Sequence, residues 1–510
     1  MQIDSIASDA AVDVGHRTLE GALAEARQRI LSAYDPKAFA RAGHEVVDEI
    51  ARFLKRSQRS EGAVLNWCEP AENVRAAAAL LDGEASVQTL IRTIFSRGQT
   101  MHDPRYIGHQ VPPPVPVSAM FEAVSSISNQ GMTIYEMGPW SSAVERLILA
   151  RLGETLGLAP GFGGVLTSGG SLANLTALLT ARNIALRGGW KQGTAAAQGA
   201  GGAVIIAHGE SHYCVERAAG ILGIGTENCL KAALDERGKM DASKLADQLQ
   251  EAKQQGRTVI AVIASACSTR TGTYDPLRAI AAVCRGFGVW FHVDAAHGGA
   301  AAFSETHAHY LDGIDEADSV VWDAHKMMFM PALSTYLFYR RSTDQYHAVS
   351  QQASYLFDDD AQRADAFNTG LGTIECTKRA AAFSLWATWA LHGKRLFADL
   401  VDTTYGVARQ FAARIDAHPD CELLNTPESN ILVFRYVPPA LRQAEPERIG
   451  AFQSALRKRV IESGEYYIVP AMDRGIGALR LVVMNPLTTE AHFDRLIESL
   501  SAASAAVLDT

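Results

Sequence analysis

His292-Val293-Asp294-Ala295-Ala296-His297-Gly298-Gly299 is followed further along by Ser319-Val320-Val321-Trp322-Asp323-Ala324-His325-Lys326. Residues 289–293 and 319–322 are apolar and β-prone, so each polar cluster is expected just past a buried strand. Ligand sites of parallel sheets form there, outside the carboxyl ends of the strands. Taken singly, Asp294 reads as a helix cap and Lys326 as a solvated loop lysine. Together, with His325 beside the lysine, they make a far more specific pattern.

A lysine that condenses with an aldehyde needs a partly desolvated place that lowers its pKa. An acid fixed nearby can hold a pyridine nitrogen protonated. These are the two protein groups that pyridoxal 5'-phosphate (PLP) requires, which makes PLP the expected cofactor and Lys326 and Asp294 its expected partners.

In this order and spacing the two motifs resemble those of the group II PLP-dependent amino-acid decarboxylases, which include glutamate, cysteine sulfinate and aromatic amino-acid decarboxylases. The resemblance runs from about Asp103 to Trp386. It implies a fold-type I α/β architecture, aspartate aminotransferase-like, with a mainly parallel central sheet. A helical N-terminal arm at 1–98 would form a homodimer, 99–378 would be the large PLP-binding domain, and 379–510 a small C-terminal α/β domain.

Composition agrees with an enzyme of small molecules. The 510 residues, 47% hydrophobic and 20% charged, suffice for two or three domains with large cores. A net charge of -9 without any basic run argues against nucleic-acid or anionic-membrane partners. Seven dispersed cysteines with no Cys-x-x-Cys pair suit reduced thiols in a cytoplasm, and no metal site is expected. The start of the chain carries Asp4, Asp9 and Asp13 rather than a basic stretch before an apolar one, so no secretory signal is read there. No uncharged apolar run reaches the roughly 18 residues of a membrane span.

Apolar residues of 16–58 recur near every 3.6 positions, which predicts two helices separated by Pro36. Their apolar stripe must pack on the main body or on a second subunit. A stiff loop, Val111-Pro112-Pro113-Pro114, follows His109, which falls about where glutamate-type relatives place a substrate-contacting glutamine. Thr133 to Pro139 resembles a segment of the glutamate and cysteine sulfinate branch.

Gly163 to Ser171 and then Leu172 to Leu179 read as strand, glycine turn and helix. Bare N–H groups at the helix start, with the Ser171 hydroxyl as cap, form an anion site, and the resemblance assigns Gly170 and Ser171 to the phosphate. By resemblance His212 stacks on the pyridine ring, Ser268 or Thr269 supplies a hydroxyl near the cofactor, and Ala296 and His325 flank the Asp and Lys. Arg270 has three readings: a phosphate, a substrate acid or, foremost, a surface carboxylate. Asp323-Ala324 stands where the family often has asparagine-proline. An ionised aspartate would repel phosphate, so that contact is not carried over.

Residues 341–366 read as a mobile loop that resembles a catalytic lid, with Tyr355 as proton donor. Lys378 aligns with an arginine that binds the α-carboxylate, and Arg379 is its neighbour, so either cation is open to the role. The implied reaction is α-decarboxylation of an L-amino acid, foremost a small acidic one: glutamate, aspartate or cysteine sulfinate. His109, Arg270 and His297 are the cations open to its distal acid. Aromatic or diamino substrates, transamination, oxidative deamination and a catalytically idle homologue are the alternatives.

Overall fold

The computed structural model describes residues 21–198, 201–349 and 367–508. Two compact units divide the chain, Met1–Asp103 and Pro104–Thr510. In the first, the helix Pro36–Gln58 begins on Asp35, whose carboxylate accepts from the N–H groups of Lys37 and Ala38, and Pro36 occupies the first turn, where its missing N–H costs nothing. Phe53 stacks on Phe95 of the helix Val87–Arg97 at 4.1 Å, beside a polar knot of Arg92, Gln88 and Arg52 on Glu49. That knot, through Arg92 foremost, holds the Glu49 carboxyl down at about 2. Leu31, Tyr34, Phe39, Val74, Leu81 and Ile94 remain exposed on this unit.

The second unit is built on a seven-stranded sheet ordered β1-β7-β6-β5-β4-β2-β3. Its strands are β1 (Gly163–Thr167), β2 (Ala203–His208), β3 (Cys229–Ala232), β4 (Thr258–Ser265), β5 (Trp290–Asp294), β6 (Ser319–Asp323) and β7 (Thr335–Tyr339). Only β7 runs against its neighbours. Residues alternate between two apolar layers: Phe291, Val293, Val320 and Trp322 enter one, Trp290, Val321, Ile263 and Leu337 the other. Burial on both faces is why these strands read as unbroken apolar runs. It also puts Trp290, His292 and Asp294, two residues apart, on one face.

Gly298 and Gly299 are needed for close approach. A Cβ at Gly298 would lie 2.6 Å from the Tyr274 hydroxyl, and one at Gly299 2.8 Å from the Trp322 ring.

The C-terminal part adds a four-stranded antiparallel sheet, β10-β11-β9-β8, of β8 (Cys421–Leu423), β9 (Ile431–Tyr436), β10 (Val469–Asp473) and β11 (Ile476–Val482). Helices Pro446–Glu462 and Glu490–Leu508 share its core through Leu456, Phe493 and Leu496. The three half-exposed residues of β8 carry no periodic signal in the sequence. Gly393, at positive φ, ends the helix Phe383–His392 before Arg395–Ala417 starts. Among the described residues no helix is long and apolar enough to cross a membrane, and no cluster of His, Cys, Asp and Glu is arranged to hold a metal. All seven cysteines are free.

Candidate active site

A cavity of about 390 Å³ opens at the carboxyl ends of the parallel strands. Gly169, Gly170 and Ser171 border it after β1, His212 after β2, Thr269 after β4, Asp294 and Ala296 after β5, and His325 and Lys326 after β6. Five separate strand ends therefore deliver the residues that the motifs singled out.

At one end lies the start of the helix Gly170–Ala185. Gly169 takes φ +121°, and its carbonyl accepts from Leu172 and Ala173 N–H, which leaves the N–H groups of Gly170 and Ser171, residues that border the cavity, without a helical partner. Ser171 is not the cap: Gly169 holds that position, no side chain caps the helix, and the exposed Ser171 hydroxyl stays available to a ligand. A Cβ on Gly170 would stand 3.1 Å from both carboxylate oxygens of Asp323 and crowd that acid beneath the turn.

Asp294 closes β5 with its carboxylate held on two sides. Ala296 N–H donates to Oδ1 at 3.1 Å and Asn174 Nδ2 to Oδ2 at 3.3 Å. His212 Nδ1 accepts from Cys214 N–H at 3.3 Å, and burial holds the ring's pKa below its ordinary value. His208, the other histidine of that turn, is used structurally: its Nδ1 accepts from Glu210 N–H and its Nε2 meets the Gly238 carbonyl.

Lys326 was expected to have a depressed pKa. Burial does push it down, but the Asp323 and Asp294 carboxylates outweigh burial and hold the ammonium above the usual lysine value. Its Nζ lies 3.2 Å from Asp323 Oδ2, while Thr335 donates to the other oxygen at 2.6 Å and His325 Nε2 stands 3.5 Å away. Asp323 is thus a buried acid paired with the lysine.

Of the paired hydroxyls, Thr269 borders the cavity, whereas Ser268 is fully buried and its Oγ has no partner among the described residues. Lys378 and Arg379, the expected carboxylate cations, are placed elsewhere. Lys378 Nζ is buried on Glu145 Oε1 at 2.6 Å and on the Leu166 carbonyl, and Arg379 pairs with Glu122 at 2.9 Å on the surface. His109 does not border the cavity either; it packs on Tyr467, and burial, then Arg480 and Arg457, hold its pKa down. Arg270 is occupied by Glu210 at 2.6 Å and Asp473 at 3.0 Å, as its carboxylate reading anticipated.

His297 also departs from expectation. Asn430 Nδ2 donates to the Val483 carbonyl, so its Oδ1 accepts from His297 Nε2 at 2.7 Å, and Nδ1 is left a bare acceptor. Burial, aided by Lys326 and Arg480, lowers this histidine to about 3. A neutral ring offers no cation to a distal acid. Tyr355 lies outside the described residues.

Sequence reasoning missed Arg480. It sits on β11, almost wholly buried, with Nη2 donating to the Thr269 carbonyl at 2.7 Å and Nε without a partner among the described residues. No carboxylate pairs with it among the described residues. Burial lowers it to about 10, still charged at neutral pH. The signal was present: an arginine interrupting the apolar run Ala478 to Met484. Asn174, a buried amide among the leucines and alanines of its helix, was likewise overlooked.

A helix start able to hold a phosphate, an acid with an outward face for a ring nitrogen, a flat imidazole and a lysine, all around one cavity on a mainly parallel sheet, fit PLP. The fold and site define a fold-type I PLP enzyme. Residues 86–437 match the family described as the pyridoxal-dependent decarboxylase conserved domain, and the chain belongs to that family. It is 31% identical over 471 residues to the cysteine sulfinic acid decarboxylase of Mus musculus, covering 89% of this chain and 93% of the relative. The acidic amino acid decarboxylase GADL1 of Mus musculus is 29% identical over 488 residues, 92% and 87% of the two chains. The crystal structure of mouse CSAD superimposes with a TM-score of 0.85 at 28% identity, covering 92% of this chain and 99% of the other. The protein is a PLP-dependent amino-acid decarboxylase.

Proposed function

We propose that this decarboxylase removes the α-carboxyl group of a small acidic L-amino acid, of the glutamate, aspartate or cysteine sulfinate kind. The observation that carries this reading is the similarity, over most of the chain, to relatives named for acidic amino acids and cysteine sulfinate; the buried Arg480 guanidinium, without a carboxylate partner among the described residues, stands behind Thr269 for a substrate carboxylate. The names of the cysteine sulfinate and acidic amino-acid relatives support the acidic side chain.

PLP, when bound, supplies an electron sink for the electron pair left on Cα as carbon dioxide departs. Asp294 accepts the hydrogen bond of the ring nitrogen and keeps its proton there, a fixed charge against charge that develops during reaction. Gly170 N–H and the Ser171 hydroxyl take the phosphate. His212 confines the ring, and Thr269 offers a hydroxyl beside it. Lys326 carries the cofactor between turnovers and moves protons at its Nζ. Arg480 takes a substrate carboxylate in place of Lys378 and Arg379. Tyr355 returns a proton to Cα.

The exposed Leu31, Phe39, Val74, Leu81 and Ile94 of the N-terminal unit support a homodimer formed through that arm. Free, dispersed cysteines support a reducing, cytoplasmic setting.

Carbon dioxide release from glutamate, aspartate, cysteine sulfinate, tyrosine and 2,4-diaminobutyrate tests the substrate class. An acid-binding site whose cation is left unpaired by a neutral analogue discriminates by more than roughly a hundredfold against tyrosine. A higher kcat/KM for either of the last two amino acids would overturn the acidic assignment. Keto acid or aldehyde without carbon dioxide would overturn decarboxylation itself.

A further inference from the structure

We propose that Asn174, oriented by a buried hydrogen-bond chain from Trp290 through Ser319 and His292, is the positioning residue that aims Asp294 at the cofactor's ring nitrogen. The inference rests on the reading that Asp294 faces that nitrogen.

Strand parity places Trp290, His292 and Asp294 on one face of β5, under the helix that carries Asn174, and sheet register sets Ser319 opposite His292. Trp290 Nε1 lies 2.9 Å from Ser319 Oγ, Ser319 Oγ 2.8 Å from His292 Nδ1, and His292 Nε2 2.8 Å from Asn174 Oδ1. Asn174 Nδ2 then reaches Asp294 Oδ2 at 3.3 Å and the Gly170 carbonyl at 2.9 Å. Ser319 and Asn174 are 1% exposed and His292 0%.

Groups at the two ends set the directions. An indole N–H only donates, so Ser319 accepts from Trp290; the Gly170 carbonyl and the Asp294 carboxylate only accept, so Asn174 presents Nδ2 to them and Oδ1 to His292 Nε2, and His292 Nδ1 accepts from the Ser319 hydroxyl. A neutral His292, which burial lowers to about 4, must then carry its proton on Nε2. That proton occupies Asn174 Oδ1, which keeps the amide nitrogen facing Asp294. Flipping the amide would set two donors against each other and turn its oxygen toward the carboxylate.

Two consequences follow. Among the described residues Asp294 accepts from Ala296 N–H and Asn174 Nδ2 on its protein side, and it borders the cavity with its remaining acceptor capacity. A chain of aligned donors also strengthens its last member. In addition, one amide ties the Gly170 carbonyl to Asp294, so the phosphate turn and the ring-nitrogen acid are held at one spacing.

The test uses cofactor-free full-length protein, measuring PLP affinity by fluorescence titration and the resonance of a 15N-labelled pyridine nitrogen in bound PLP, which reports its protonation. Asn174→Leu removes the donor without adding charge. It should weaken PLP binding by roughly ten- to a hundredfold, as loss of a hydrogen bond to a charged group does, and shift the nitrogen signal toward the unprotonated value. His292→Leu removes the donor that anchors Asn174 Oδ1 and should move both readouts the same way by a smaller factor. His292→Gln, which retains a donor for Asn174 Oδ1, should restore them. The His292 pair decides the matter if Asn174→Leu does not fold. An unshifted nitrogen signal in folded Asn174→Leu, or equal behaviour of His292→Leu and His292→Gln, overturns the proposal. Asp294→Asn separates the two layers. If it too leaves the nitrogen protonated, the reading of Asp294 fails; if it alone shifts the signal, only the role of Asn174 fails.

Discussion

Lys326 Nζ lies 3.2 Å from Asp323 Oδ2, three residues back along the chain, and the acid is buried beneath the turn that bears Gly170. One carboxylate therefore touches both the amine that must bond the cofactor and the turn assigned to its phosphate. While paired with Asp323 and near Asp294, the lysine is held as an ammonium, and an ammonium has no lone pair with which to attack an aldehyde.

Asp323→Asn should ease cofactor loading. The acid raises the lysine's pKa, so its removal lowers the pH at which the free amine appears, and visible absorption after adding PLP should develop faster at neutral pH. The loading rate of cofactor-free protein, followed from pH 6 to 9, checks this. A profile identical to wild type would show that Asp323 does not govern the amine. Lys326→Ala should form no such absorption and lose nearly all turnover at every pH.

Arg480→Lys should lower kcat/KM by about ten- to a hundredfold, since a compact ammonium cannot reproduce a guanidinium's two parallel hydrogen bonds to a carboxylate. The PLP absorption should remain. Steady-state kinetics with a wild-type spectrum for the bound cofactor separate a lost substrate contact from a lost fold.

Lys378→Met should instead act on stability. It strands Glu145 in the interior, and breaking a buried pair from one side costs about 3–5 kcal/mol. Adding Glu145→Gln should recover much of that loss. Urea titration of both variants tests it, and a Lys378→Met enzyme with unaltered stability would contradict the pairing.

Two buried histidines should make the fold acid-sensitive. Burial lowers His292 to about 4 and His297 to about 3, below their ordinary value of 6.5. The unfolded chain therefore binds more protons between those limits. Their contribution to stability is complete above about pH 6.5 and is lost as pH falls through the folded values. Thermal unfolding midpoints should drop from pH 7 to pH 4, and His297→Asn should flatten the slope. Neither ring changes charge between pH 5 and 8, so a break in the pH–rate profile there belongs to other groups.

Local pattern and residue chemistry determined much of this protein. Apolar runs at 204–206, 259–264, 289–293 and 319–322 announce buried parallel strands because such strands need hydrocarbon on both faces, and the polar residues just beyond them mark the site. Asp294, Lys326, Gly170 and His212 were legible because each ends such an element. What tertiary structure alone decided are the partners. Lys378 and Arg480 are both cations beside apolar stretches; only packing shows that Glu145 has claimed the first and that the second is without a carboxylate among the described residues. Asn174 and Asp294 lie 120 positions apart and meet because a helix crosses the face that strand parity gives to Asp294. His297 is an acceptor rather than a cation because Asn430, just ahead of β9, takes its only proton while burial denies it another. Charge and hydrogen-bond direction at a buried site are set by neighbours in space, and sequence order records those only where they are also neighbours along the chain.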